Sequence, residues 1–358
     1  MSDYFDRVER QIVRRVETGL PRQSRLPNVF GHLGTAVAVL VVIVVAGVFL
    51  LARGASPTRP VGPASSPHGL TVAFAPETLP GGPGANATIS RTVQILSARL
   101  HQALPGAHVG VAWTGGHFTV HVPNPSRNTR AQILALAAPG RLEFYDWEAS
   151  VVTPNGKTVA SQLGAQDPTA LTISQGAGGA APGDPGAGCV SLDNALTLAA
   201  KQPASLTPVL VEAIGQGAGY PADAQDPNAG YYVLRGKPAL SGADITDPRE
   251  HTDPNTRAPE ITVGFTASGA KAFQNLTRAI ARRGDQVSGL GESFNQHFAA
   301  VLDNRLITVP FVDYKIYPDG ISGSQGADIS GSFTVQSGKD IAILLRYGPL
   351  PVQLSPAG

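Results

Sequence analysis

Cysteine is almost missing from this chain: Cys189 is the only one in 358 residues. An intramolecular disulfide is therefore impossible, and so is a zinc site built on paired thiolates, which leaves packing to hold the fold together. Charge is scarce as well, at 15% of residues, and nearly balanced, with 27 Lys and Arg against 26 Asp and Glu. Phosphate binding requires a concentrated cationic face, and none is visible, so a nucleic-acid partner is excluded. Catalytic signatures are also lacking. There is no His-Glu-x-x-His, Gly215 to Gly219 has no lysine of the phosphate-loop kind, and Gly320-Ile321-Ser322-Gly323-Ser324 does not centre its serine between glycines. The acidic pairs Asp146 with Glu148 and Asp244 with Asp247 have no nucleophile beside them and read as turn and cap residues. His117, Thr119 and His121 share one face of a strand, more simply a solvent-facing one than two corners of a metal site. The expectation is a protein that is not an enzyme and uses no metal or cofactor.

Long apolar runs are rare too, and the one present decides the expected compartment. Gly34 to Ala52 (GTAVAVLVVIVVAGVFLLA) is nineteen residues without a charge, enough for a helix crossing a hydrocarbon core of about 30 Å. Arg7, Arg10, Arg14, Arg15, Arg22 and Arg25 precede it and only Arg53 and Arg59 follow closely, so the positive-inside bias places the N-terminus in the cytoplasm. A cleaved signal peptide is the competing reading. The 33-residue lead is long for one, and Leu51-Ala52-Arg53 is a poor small-x-small site. Within residues 1–33, Phe5, Val8, Ile12 and Val16 repeat at helical spacing among arginines, which suits the inner leaflet, a cytoplasmic partner or a solvated tail. Residues 53–70, with Pro57, Pro60, Pro63 and Pro67, read as a semi-rigid stalk.

The 41 glycines and 30 prolines imply many turns between short elements. A strand over Thr71 to Phe74 and a helix over Ile89 to Leu104 are followed by strands at His108 to Trp113 and His117 to Val122, joined through Thr114-Gly115-Gly116. A helix over Thr129 to Ala138 and a strand over Arg141 to Trp147 complete a first regular half. From Ser150 to Asn255 the texture is loop-rich, with Gln175 to Gly188 almost wholly Gly, Ala, Pro and Asp, too poor in large apolar side chains to pack a core. Short elements around it include a helix near Leu192 to Ala200 and a strand at Tyr231 to Leu234. The second half predicts a strand through Ile261, Val263 and Phe265 and a helix from Gly269 to Arg283 capped by Ser268. A hairpin turning at Asp303-Asn304, a last strand over Ile329 to Thr334 and a helix over Lys339 to Tyr347 complete it.

The ordered pieces Tyr231-Tyr232-Val233-Leu234, Leu240 to Ile245, VGFTASGAKAFQNLT (Val263 to Thr277), VLDNRLITVP (Val301 to Pro310), DISGSFT (Asp328 to Thr334) and YGPLPVQL (Tyr347 to Leu354) resemble the first extracytoplasmic domain of SecD, an accessory subunit of the Sec protein-export machinery. TVQILSARLHQAL and GRLEFYDWE extend the resemblance upstream. It implies an α+β fold: a ferredoxin-like base, residues 71–149 and 256–354, carrying an inserted head subdomain, residues 150–255, behind one transmembrane helix. It also implies a bacterial cytoplasmic-membrane location, with the large domain outside and the lipid bilayer, Sec translocon components or a multi-helix membrane subunit as partners. In the family, five further membrane helices with ionisable residues follow this stretch. Gly34 to Ala52 holds no charge and the sequence stops at Gly358, so the expectation is a domain without proton coupling of its own.

An extended, unfolded polypeptide is the expected ligand, because a free sheet edge captures any sequence through main-chain hydrogen bonds. Tyr220, Tyr231 and Tyr232 are the candidate amphipathic contacts, against the plainer reading that they pack the head. An envelope sensor or scaffold with its head retuned to another ligand is the alternative.

Overall fold

Residues 69–79, 82, 84–163, 189–203, 209–213, 230–254, 256–288, 295–331 and 333–357 are described by the structure, a computed structural model. The expected membrane helix 34–52, the stalk, the basic segment 1–33 and the Gly/Ala/Pro tract lie outside these residues. No helix among the described residues is long and apolar enough to cross a membrane.

The chain begins with strand β1 (Leu70–Pro76), helix α1 (Gly84–Ala103), the hairpin β2 (Gly110–Thr114) and β3 (His117–Val122), and helix α2 (Thr129–Leu136). Strand β4 (Leu142–Asp146), short helices α3 (Trp147–Ser150) and α4 (Val159–Leu163), α5 (Leu192–Ala200), β5 (Val209–Ala213) and β6 (Gly230–Leu234) follow. Then come β7 (Leu240–Ser241), β8 (Ile245–Thr252), β9 (Pro259–Phe265), α6 (Ala267–Ser288), β10 (Gln296–Leu302), β11 (Arg305–Thr308) and β12 (Phe311–Val312). Strand β13 (Ala327–Ser330), α7 (Val335–Tyr347) and β14 (Leu354–Pro356) close the chain.

Three sheets result. One has the order β14-β1-β3-β2 with every neighbour antiparallel, the arrangement of a split β-α-β unit. Its fourth strand is the three-residue β14, so the chain leaves this sheet after Val122 and returns only at Leu354. The strand expected at Arg141 to Trp147 in the same unit is instead β4, which pairs with β10 in a second sheet of order β6-β5-β11-β10-β4-β7. β13, β9 and β8 form the third.

Alternation assigns the two faces of the second sheet to different cores. Phe144, Phe298, Ala300 and Leu302 join the main core with Phe118, Leu96 and Ile261, whereas Tyr145, Ala299, Val301 and Leu306 face a smaller cluster around Trp147 and Leu234. β10, buried along its whole length, is the wall between them.

Local chemistry explains several boundaries. Asp303 and Asn304 both take positive φ, 52° and 61°, the conformation of a two-residue hairpin that Asp and Asn tolerate. α6 begins at Ala267, two residues earlier than expected, because Thr266 Oγ1, not Ser268, accepts from the Gly269 amide at 3.0 Å. The last predicted strand, Ile329 to Thr334, ends at Ser330, and the backbone turns at Gly331 to reach Thr334, whose hydroxyl caps α7.

The excursion between the first sheet and its last strand is tied shut by one residue. Arg99 of α1, fully buried, donates from Nη1 to the carbonyls of Leu136 (2.9 Å) and Ala138 (2.7 Å), and from Nη2 to those of Pro139 (3.0 Å) and Gly348 (2.6 Å). Gly140, at φ +79°, passes so close that a Cβ would stand 2.8 Å from Arg99 Nη2. Replacing Arg99 by Leu strands four carbonyls beside apolar surface, and we expect a loss of at least about 3 kcal/mol in urea unfolding. Arg99→Lys is expected to recover only part of it, since an ammonium cannot span the same fork.

Candidate functional site

A strand at the rim of a sheet offers unpaired amides and carbonyls, and proteins usually blunt such edges. Here most edges are blunted. β6 is flanked by Val152 and Val190, whose amides bond the Val233 and Tyr231 carbonyls at 2.8 and 2.9 Å. α7 lies along β8, and Arg346 Nη2 donates to Pro248 O at 2.9 Å. β13 and β14 are four and three residues long, with Asp328 in one and Pro356 in the other.

β2 is different. Among the described residues it pairs with β3 alone, and its sequence Gly-Val-Ala-Trp-Thr contains neither charge nor proline. Gly115 and Gly116, at φ 60° and 81°, make the two-residue turn that pairs Thr114 with His117. In such a hairpin the flanking pair exchanges both hydrogen bonds, and alternate pairs do the same. The amides and carbonyls of Val111 and Trp113 consequently face the open side. Trp113 stacks at a tilt on Phe118, 4.6 Å between centroids, which stiffens the strand from its inner face.

The tyrosines singled out from the sequence separate. Tyr232 is buried, edge-to-face with Trp147 at 4.9 Å, so it packs the smaller core and offers no contact surface. Tyr231 sits half-buried beside Val152 and Val233. Tyr220 lies outside the described residues. Exposed apolar area near this sheet comes instead from α5, where Leu192 and Leu196 project at i and i+4 while Ala195 and Leu198 are buried.

Deeper in the molecule, Asp146 and Glu148 act together, in a way their spacing did not reveal. Asp146 caps α3 through the Ala149 amide and receives both Arg283 nitrogens, at 2.9 and 2.5 Å. Glu148, fully buried, accepts from His297 N at 2.9 Å and Nδ1 at 2.6 Å, with Arg283 Nη2 at 3.5 Å. Burial alone would push the Glu148 carboxyl up; the His297 charge and hydrogen bonds, with Arg283, outweigh it and hold the group below its ordinary value. The network joins α3, α6 and β10, with Glu148 fully buried and the Arg283 and Asp146 side chains 18% and 17% exposed.

His117 and His121 are spent on local bonds, to Gly115 O and Thr71 Oγ1. The group of three potential ligand side chains among the described residues is elsewhere: His251, Glu260 and Asp328. Only the nine-residue separation of His251 and Glu260 across a hairpin hinted at it, and Asp328 arrives from a distant strand.

Residues 219–352 match the family of the SecDF P1 head subdomain. Over 126 residues the chain is 36% identical to the protein translocase subunit SecD of Rhodobacter capsulatus, 35% of this chain and 19% of that protein. The chain thus carries a region similar to the SecDF P1 head subdomain and to SecD. It is 35% identical over 122 residues to the protein translocase subunit SecDF of Thermus thermophilus, 34% of this chain and 14% of that one. A crystal structure of SecDF in a super-membrane-facing form aligns at TM-score 0.47 and 21% identity, covering 81% of this chain and 30% of the other. The chain thus spans about a fifth of the length of the curated relatives it matches. Within the SecD-like domain, the head match crosses the expected boundary at 255 and takes in β8 through α7.

A carboxyl held low contributes stability that is complete above its unfolded value and is lost as pH falls through the folded one. The SecD-like domain is therefore expected to weaken on acidification below about pH 4.5, the ordinary value for Glu148. Glu148→Gln should cost about 3 kcal/mol at pH 7 and flatten the acid limb of a stability-against-pH curve measured by denaturant titration.

Proposed function

We propose that this SecD-like domain serves protein export by receiving extended, unfolded polypeptide along β2. The open, charge-free edge of that strand is the observation that carries the reading. The chemistry fits a ligand of no fixed sequence, because main-chain bonding at an edge ignores side chains, and alternate side chains of the guest need only a tolerant surface. The four-stranded sheet then acts as a ferredoxin-like base and the sheets from β4 to β13 as what it carries. Likeness to SecD and SecDF supports a Sec translocon partner, and the charge-free run Gly34 to Ala52 supports a single membrane anchor with the domain outside. The domain works by binding, without enzymatic turnover.

Val111→Pro tests this. It removes an outward-facing amide while leaving the bonds to β3 in place, and proline is tolerated on edge strands. With the full chain and reduced, carboxymethylated α-lactalbumin as probe, we expect Val111→Pro to lower binding about tenfold or more with an unchanged circular dichroism spectrum. A photo-crosslinker at position 111 should label the probe. Equal binding by both proteins, with no label, would exclude β2 as the receiving edge.

A further inference from the structure

On the three-stranded sheet β8-β9-β13, one face is occupied by polar groups in register. His251 stands directly opposite Glu260, and Asp328 directly opposite Thr262. Glu260 and Thr262 are two apart on β9, so all four side chains rise from the same side. One ligand atom from each of His251, Glu260 and Asp328 lies within 4.8 Å of the others.

Thr262 organises this face. Its hydroxyl donates to Asp328 Oδ1 at 2.8 Å. Having one proton to give, it can only accept from His251 Nδ1, 2.9 Å away. The imidazole thus presents Nε2 to the Glu260 carboxylate, with Nε2 3.6 Å from Oε2. That distance is too long for a hydrogen bond, and both atoms are of the kind that ligate a cation.

Glu260 is the most buried of the three. Its side chain is nine-tenths buried, and no hydrogen bond reaches its carboxylate among the described residues. The nearby cation Arg249 turns away, its side chain 69% exposed and 3.8 Å from Asp247.

We propose that His251 Nε2, Glu260 and Asp328 bind a divalent first-row transition cation, of which Zn2+ is the best-fitting example. One imidazole with two carboxylates suits such ions, whose bonds of about 2.0–2.2 Å would draw the ligand atoms to about 3.4 Å apart in a tetrahedral site. That contraction needs side-chain rotation only, because three hydrogen-bonded strands fix the backbone positions. Thr262 is a positioning residue that holds the imidazole tautomer, as outer partners of metal-binding histidines do.

Calorimetric titration of the tag-free, chelator-treated full chain with Zn2+ at pH 7.5 tests the site. We expect one equivalent to bind in the micromolar range or tighter, with a rise in the melting temperature. His251→Gln should abolish that binding, and Thr262→Val should weaken it about 10–100-fold while leaving the circular dichroism spectrum unchanged. No binding by the native chain, equal binding by His251→Gln, or tighter binding of Ca2+ than of Zn2+ would each overturn the proposal. Should His251→Gln fail to fold, Thr262→Val decides: unchanged Zn2+ affinity there also overturns it.

Discussion

A single buried guanidinium determines where the long middle of the chain can go. Arg99 binds the carbonyl ends of α2 and α7 at once, so the point at which the chain leaves the first sheet and the point at which it returns are held within the reach of one side chain. Both are helix C-termini, where backbone carbonyls lack intrahelical partners and carry partial negative charge. The cation and the orphan acceptors satisfy each other. The Leu350 amide adds a direct bond to Pro139 O at 2.9 Å, and Asp303 receives the Gly140 and Arg141 amides at 2.9 and 2.7 Å. The exit, the return and the β10-β11 hairpin are thereby locked to one another, and everything from β4 to β13 folds as a closed excursion from α1.

The constraint has an energetic logic. A long chain segment whose ends are left free loses much closure entropy on folding, and a fully buried charge is tolerated only with complete hydrogen bonding. Each cost offsets part of the other at Arg99. The β10 wall extends the same economy into the excursion, since one buried strand serves two cores. Glu148, Arg283 and His297 then pin α3 and α6 to that wall through buried hydrogen bonds and the Arg283 ion pairs.

Much of this was legible in the sequence. Helical spacing marked α5 at Leu192 to Ala200, and the glycine pair and Asp303-Asn304 marked both tight hairpins, since these signals are local. What failed was long-range. β14 is three residues beside proline and reads as a tail, because only its pairing with β1 makes it a strand. Nothing local in the sequence marks Arg99 as buried, since its acceptors lie 37 to 249 residues away. Gly242, within the stretch Leu240 to Ile245, opens a short turn and lies within ordinary contact of Leu142. Of the tyrosines, Tyr232 is core, as the plainer packing reading has it, and the apolar pair exposed at i and i+4 is Leu192 with Leu196.

The contrast between edges is what gives the fold its functional bias. A polypeptide that meets this domain finds β6 sealed by two bridging segments, β8 shielded by a helix and a charge, and β13 and β14 too short to template a partner. A free edge invites self-association and is normally selected against. Every remedy against it, bridging, charge, proline and brevity, is used somewhere in this molecule, and none is used on β2. The edge left open among the described residues is also the one whose inner face is stiffened by an aromatic pair, so it can accept a guest strand with little ordering cost of its own. A strand added there would be held by main-chain hydrogen bonds to Val111 and Trp113, which any sequence can make.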